Sequence, residues 1–139
     1  MLRHLPTRFR NQKGQSSIET ALMMVVILTV LFSVFEICEL MYVYTVMADA
    51  AQEGARFAVV HSGVVANDPN VIAHVQRFAK MSMHDVSAMA VTVELPDTTN
   101  APPHRVRVKV AYSYVPYLHT LMPNPPSIHT YAEGRMIVQ

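Results

Sequence analysis

Thr20–Phe35 reads TALMMVVILTVLFSVF, sixteen residues without a charge, and continues as Glu36-Ile37-Cys38-Glu39-Leu40. At about 1.5 Å per residue, the span 20–40 forms a helix of roughly 30 Å, the thickness of a bilayer's hydrocarbon core. Tyr42 and Tyr44 follow where an interfacial aromatic belt would sit. Burying such a helix inside a water-soluble domain would take more chain than the roughly 70 residues left to cover it. The stretch therefore reads as a membrane-spanning helix. A cleaved secretory signal would end in a small-residue site, and none occurs between Phe35 and Tyr42.

Working outward, breakers mark the limits of this helix. No proline lies between Pro6 and Pro69, and Gly14, Gly54 and Gly63 are the only glycines before Pro69. The spacing predicts one long helix from near Gly14 to about Gly63. Ahead of it, residues 1–13 hold Arg3, Arg8, Arg10 and Lys13 with no acid, whereas residues 14–139 carry a net charge of −3. A basic head before an apolar run orients the N-terminus to the cytoplasmic side and the bulk of the chain outward. The expected organisation is a basic leader (1–14), a long helix (15–62) crossing the membrane near 20–40, and an extracytoplasmic head (63–139).

Carboxylates at membrane depth are costly unless paired, protonated or near headgroups. Glu36 and Glu39 lie three apart on one face near the outer interface, close enough to water to reach it. Glu19 sits at the cytoplasmic entry, in the sequence Lys13-Gly14-Gln15-Ser16-Ser17-Ile18-Glu19. Two readings apply to it: an acid favoured by the helix dipole in the first turn, or a functional carboxylate.

A basic leader ending in glycine, a glutamate at the fifth residue after it, and then a membrane helix resembles the class III signal of type IV pilins and pseudopilins. The resemblance implies cleavage by a prepilin peptidase after Gly14, leaving Gln15 as the new N-terminus. Glu19 then becomes the recognition or assembly carboxylate, neutralising a neighbouring subunit's amine where an unpaired charge is expensive. Further along come Phe35-Glu36, Tyr42-Val43-Tyr44 and Ala50-Ala51-Gln52-Glu53-Gly54-Ala55-Arg56. Together these resemble the TadE-like family, minor pseudopilins of the tight-adherence (Flp) pilus, over about residues 14–62. Two positions depart from that pattern. Thr20 stands where an aromatic usually follows the glutamate, and Glu39 stands where an arginine is often found. The resemblance implies a structural protein of the bacterial inner membrane. Its partners would be other pilins or pseudopilins, the peptidase and the pilus assembly machinery. An uncleaved single-pass envelope scaffold or binding protein is the alternative.

The AAQEGAR segment has a physical reading of its own. Ala51 and Ala55 lie four apart, as do Ala50, Gly54 and Ala58, leaving two helix rows nearly bare of side chains. Such rows admit another helix or a sheet close to the backbone, which offsets the cost of about 1 kcal/mol for a mid-helix glycine. They serve either a contact within the protein or a subunit interface. Glu53 and Arg56 are spaced to pair across one turn.

Beyond Asn67 the texture changes to short periodic pieces between prolines. Asp68-Pro69 opens a helix running to about Met83. Val86–Leu95 alternates with Met89, Val91, Val93 and Leu95 on one face. Arg105–Val115 sets Val106, Val108, Val110, Tyr112 and Tyr114 against Arg105, Arg107 and Lys109, and Thr130–Val138 groups Ala132, Gly134, Met136 and Val138. Pro96–His104 and Pro116–His129 connect these strands. The fold class is α+β: a long N-terminal transmembrane helix extending into a small head with one short helix and a three-stranded antiparallel sheet, the sheet packed on the helix's outer half.

The composition excludes several functions. Cys38 is the single cysteine, so no internal disulfide or thiolate metal site forms. His61, His74, His84, His104, His119 and His129 are scattered without HxxxH or HExxH spacing, and neither a P-loop, a G-x-S-x-G nor a dinucleotide fingerprint occurs. No catalytic residue, metal site or cofactor is expected. The stripe Arg105-Arg107-Lys109 reads as a solvated face balanced by Glu94 and Glu133 on neighbouring strands, with no nucleic-acid partner.

Overall fold

The computed structural model describes residues 12–61, 63–97, 104–117 and 127–136. Arg3, Arg8, Arg10, His119, Val138 and the central parts of the two strand connections lie outside the described residues, as do the side chains of Lys13 and His104. The elements run α1 (Gln12–Val60), α2 (Pro69–Ser82), β1 (Met89–Glu94), β2 (His104–Ser113) and β3 (Ser127–Met136). The fold is α+β, as expected. The chain divides into two compact units, one ending at Ile37 and the other beginning at Cys38.

In the first unit, α1 is exposed from Gly14 onward, with Glu36 alone half-buried. None of its most apolar window is buried. Its hydroxyls are nonetheless satisfied within the helix. Thr20 Oγ1 donates to the Ser16 carbonyl at 2.9 Å, Thr29 Oγ1 to Val25 at 2.8 Å and Ser33 Oγ to Thr29 at 2.8 Å. Back-bonding to the i−4 carbonyl lets a hydroxyl lie on an apolar surface without a water partner. This side-chain chemistry suits a helix solvated by lipid.

The second unit is the head, built on the outer half of α1. Its core gathers Val43, Val46, Met47, Ala50, Ala51, Ala55 and Ala58 of α1, Val71, Val75 and Ala79 of α2, and the inner face of the sheet. The sheet order is β1-β2-β3, antiparallel throughout, with Val93 opposite Val108 and Arg107 opposite Glu133. Because side chains alternate, Val106, Val108 and Val110 are buried while Arg105 and Lys109 are exposed and Arg107 is half-buried on the outer face. Each outer cation has an acid: Arg105 meets Asp97 at 2.9 Å, Lys109 meets Glu94 at 2.6 Å, and Arg107 bonds Glu133. The Asp97 carboxylate is also what raises the Arg105 pKa above its ordinary value.

Asp68 caps α2 by accepting from the Asn70 amide at 2.8 Å, with Pro69 in the first turn, where its missing N–H costs nothing. Just before it, Asn67 adopts a left-handed backbone (φ 55°) and clasps the edge of β1. Its N–H donates to the Val93 carbonyl at 2.9 Å, and its Oδ1 accepts from the Val93 amide at 3.2 Å.

The element boundaries shift from expectation for local reasons. Residues 86–88 form a turn rather than strand: Met89 N donates to the Val86 carbonyl at 3.0 Å, and Asp85 accepts from the amide and hydroxyl of Ser87. These bonds depress the Asp85 pKa below its ordinary value of 3.8. β2 stops at Ser113 and β3 begins at Ser127, its register partner, three residues before the expected start. α1 begins at Gln12, so Glu19 lies beyond the first turn and the helix-dipole reading of it does not hold.

Candidate membrane stem and assembly helix

Every residue singled out in the sequence, from Gly14 to Arg56, stands on α1. Gly14 and Gln15 lie near its start, both exposed, and a side chain added at Gly14 would meet nothing within 4 Å. Glu19 is exposed on the apolar stem. Glu36, in the first unit, is half-buried.

Glu39, in the head, is also half-buried. It borders a groove of about 380 Å³ with Tyr42, Asp85, Tyr112, Tyr114 and Tyr117. Burial pushes the Tyr112 phenol above its ordinary value of 10.0, and the charges of Asp85 and Glu39 add to the shift. Tyr42 donates its hydroxyl to the Ser82 carbonyl at 2.9 Å, fastening the end of α2 to the start of the head. No local pattern signals that these tyrosines assemble, because Tyr42 and Tyr117 are joined only by the return of β2 down the helix.

The bare rows of the AAQEGAR segment face inward. Ala50, Ala51, Gly54, Ala55 and Ala58 are all buried, whereas Gln52 and Arg56 are exposed. A Cβ built on Gly54 would stand 3.3 Å from Val108 Cγ1 and nearer still to Val75 Cγ2, inside the 3.0 Å that real Cβ atoms respect. Gly134 on β3 repeats the device from the other side: its Cβ would come 2.6 Å from Val59 Cγ2. α1 thus meets α2 at Gly54 and the sheet at Gly134 so closely that only hydrogens fit, and the small-residue rows make a contact within the protein. The same face is unavailable to a second subunit while the head is folded.

The expected Glu53–Arg56 pair is not formed. Glu53 instead turns across to α2, its Oε1 3.5 Å from His74 Nε2. The cause is the ring of Phe57, one turn along, which stacks on His74 at 4.3 Å and on His61 at 3.9 Å between centroids, holding His74 beside Glu53. By spacing alone these histidines are scattered. The Phe57–His61 stack, at i and i+4, was readable from spacing, whereas His74 comes from another helix. No group of three or more potential metal ligands occurs among the described residues.

The arrangement has an apolar, lipid-suited stem and a head packed against bare helix rows. Its features from Gly14 through the AAQEGAR segment can be compared with known families as one stretch. Residues 14–56 match the family described as TadE-like protein. The resemblance drawn from Glu19, Glu36 and AAQEGAR thus holds across the stem and most of the head's part of α1. This TadE-like family is one of pilus-associated structural proteins rather than enzymes, and its match to an apolar helix fits a membrane protein related to Tad pili. No curated protein and no solved structure matches the chain.

Proposed function

We propose that this chain is a structural minor pseudopilin of a tight-adherence (Flp-type) pilus. In this reading it is inserted in the inner membrane with its N-terminus cytoplasmic, cleaved after Gly14 by a prepilin peptidase, and assembled with other pilins or pseudopilins. The observation that carries the reading is the TadE-like match over residues 14–56, lying on a helix whose most apolar window is uncovered and whose Thr20, Thr29 and Ser33 hydroxyls bond to carbonyls one turn back. Lateral packing of such stems would replace lipid around α1. Glu19, exposed on the stem, would then meet the new amine of Gln15 on a neighbour, each charge relieving the cost of the other in an apolar surround.

The test is the intact mass of the native protein extracted from membranes of cells with an active prepilin peptidase. A mass corresponding to residues 15–139 supports the reading. A full-length mass refutes processing and leaves an uncleaved envelope scaffold, with Thr20 as the departure to examine first. Glu19→Ala separates assembly from insertion: the variant should enter the membrane yet be missing from purified filaments, and normal incorporation would remove the charge-pairing role.

A further inference from the structure

We infer that the base of the head is itself a membrane-contacting surface, seated at the lipid–water boundary beside the point where α1 emerges. The inference rests on the reading that residues 20–40 cross a bilayer.

Contacts within the head fix which end is the base. Val108 packs at Gly54, and Gly134 packs at Val59, whereas Tyr112, Tyr114 and Tyr117 share a groove with Glu39 and Tyr42. β2 therefore descends along α1 toward residue 39. α2 descends as well, from Val75 at Gly54 to Ser82 at Tyr42. Both elements end at the level where the apolar run stops. There they leave large side chains uncovered: Tyr117 and Met81 are each 77% exposed and Val115 is 70% exposed, beside the exposed Met41 and Tyr42 of α1.

An apolar collar of this kind on a small head marks a contact surface. Its position names the occupant. The chain leaves the hydrocarbon near Leu40, so a water–lipid boundary lies within about one turn of Tyr42. Tyrosine, with an apolar ring and a polar tip, is suited to that boundary. The charges at this end are Glu39, His84 and Asp85 around the groove and the cation Lys80 beside Met81 in the last turn of α2, so acids offset it, whereas the cations of β2 lie on the outer face of the sheet, each with an acid. Attraction to anionic headgroups therefore contributes little, and the collar suits a zwitterionic interface held by apolar and aromatic burial.

The chain has no tryptophan, so single substitutions report their own depth. Full-length protein carrying Y117W, M81W, Y131W or F32W is reconstituted into phosphatidylcholine vesicles. The acyl chains bear bromine either near the glycerol end or near the terminal methyl. F32W reads the membrane span, and Y131W reads the outer face of the sheet, several residues along β3 from the base. The inference expects Y117W and M81W to lose emission to the shallow bromines more than to the deep ones. F32W should respond to the deep bromines, and Y131W to neither. If F32W is quenched while Y117W and M81W behave like Y131W, the collar is in water and the inference fails with the span intact. If F32W is not quenched, the spanning reading itself fails, and the inference with it. Emission of Y117W that shifts blue with protein density but ignores bromine assigns the collar to a second copy of the chain and overturns the lipid assignment.

Discussion

Gly54→Ala tests the packing argument at its tightest point. On an exposed helix this exchange stabilises by about 1 kcal/mol, because alanine loses less freedom on folding. Here the new methyl would enter space already held by Val75 Cγ2 and Val108 Cγ1. Both valines are fully buried and branched at Cβ, so neither can swing away by rotating a distant bond. Overpacking of this kind costs about 1–3 kcal/mol, and the closeness of Val75 puts this site at the upper end. With the propensity gain subtracted, the head should lose about 2 kcal/mol, a fall in Tm of about 10 °C for a domain of this size. The assay is thermal unfolding of the full chain in mild detergent. It is followed by near-ultraviolet circular dichroism of the tyrosines, two of which, Tyr112 and Tyr114, sit on the sheet's inner side. A double-mutant cycle with Val75→Ala makes the test specific. Truncating Val75 alone opens a cavity, whereas in the Gly54→Ala background it makes room for the methyl, so the two losses should fall short of additivity by about 1 kcal/mol or more. A Gly54→Ala variant as stable as the parent, or more so, would refute the close-approach argument.

Three further outcomes follow from the same structure. Thr130 Oγ1 is buried without a partner among the described residues, so Thr130→Val, similar in shape, should raise stability by about 1 kcal/mol in the same melt; a loss would show that the hydroxyl is satisfied. Asp68→Ala removes the cap of α2 and should cost about 1 kcal/mol, read as faster amide hydrogen exchange at Asn70 and in the first turn of the helix, while unchanged exchange would mean the cap is dispensable. Asp85 has a folded-state pKa below its ordinary 3.8, so its bonds to Ser87 support the turn fully above that value and are lost as pH falls through the folded value. An NMR titration following the Ser87 amide should show its midpoint below 3.8, and a midpoint above it would contradict the turn geometry.

How much of this was legible beforehand depended on whether a signal was local. The span of α1 was legible because breakers are absent over it, and α2 because Asp68-Pro69 states a cap and a first turn in two letters. The faces of β2 were legible because alternation is a property of one strand, and the match of Arg107 and Lys109 to Glu133 and Glu94 followed once the strands were adjacent. What was not legible came from contacts between elements. Whether the AAQEGAR rows served the fold or a partner could not be read from α1, since the answer lies in Val75 and Val108. Glu53 was assigned to Arg56 by spacing, but His74, brought in by α2 and held by Phe57, took the pair instead. The tyrosine groove needed the direction of β2 along α1, which no periodicity records. Strand ends moved because register fixes them: β3 starts where Ser113 has a partner, not where its own apolar alternation begins.

The bare rows of α1 also bear on how the chain is made. Synthesis produces the helix first, then Val75, and Val108 only later, so the face around Gly54 waits uncovered while its lids are still being added. A face of leucines and phenylalanines would expose a large sticky surface throughout that wait. Glycine and four alanines expose little, so the newborn helix has small attraction for other unfinished chains. Its adhesion is supplied later by the valines that arrive to close over it. Storing the bulk of the core on the late elements rather than the early one lets a helix that must stay apolar for the membrane be comparatively inert where it meets water.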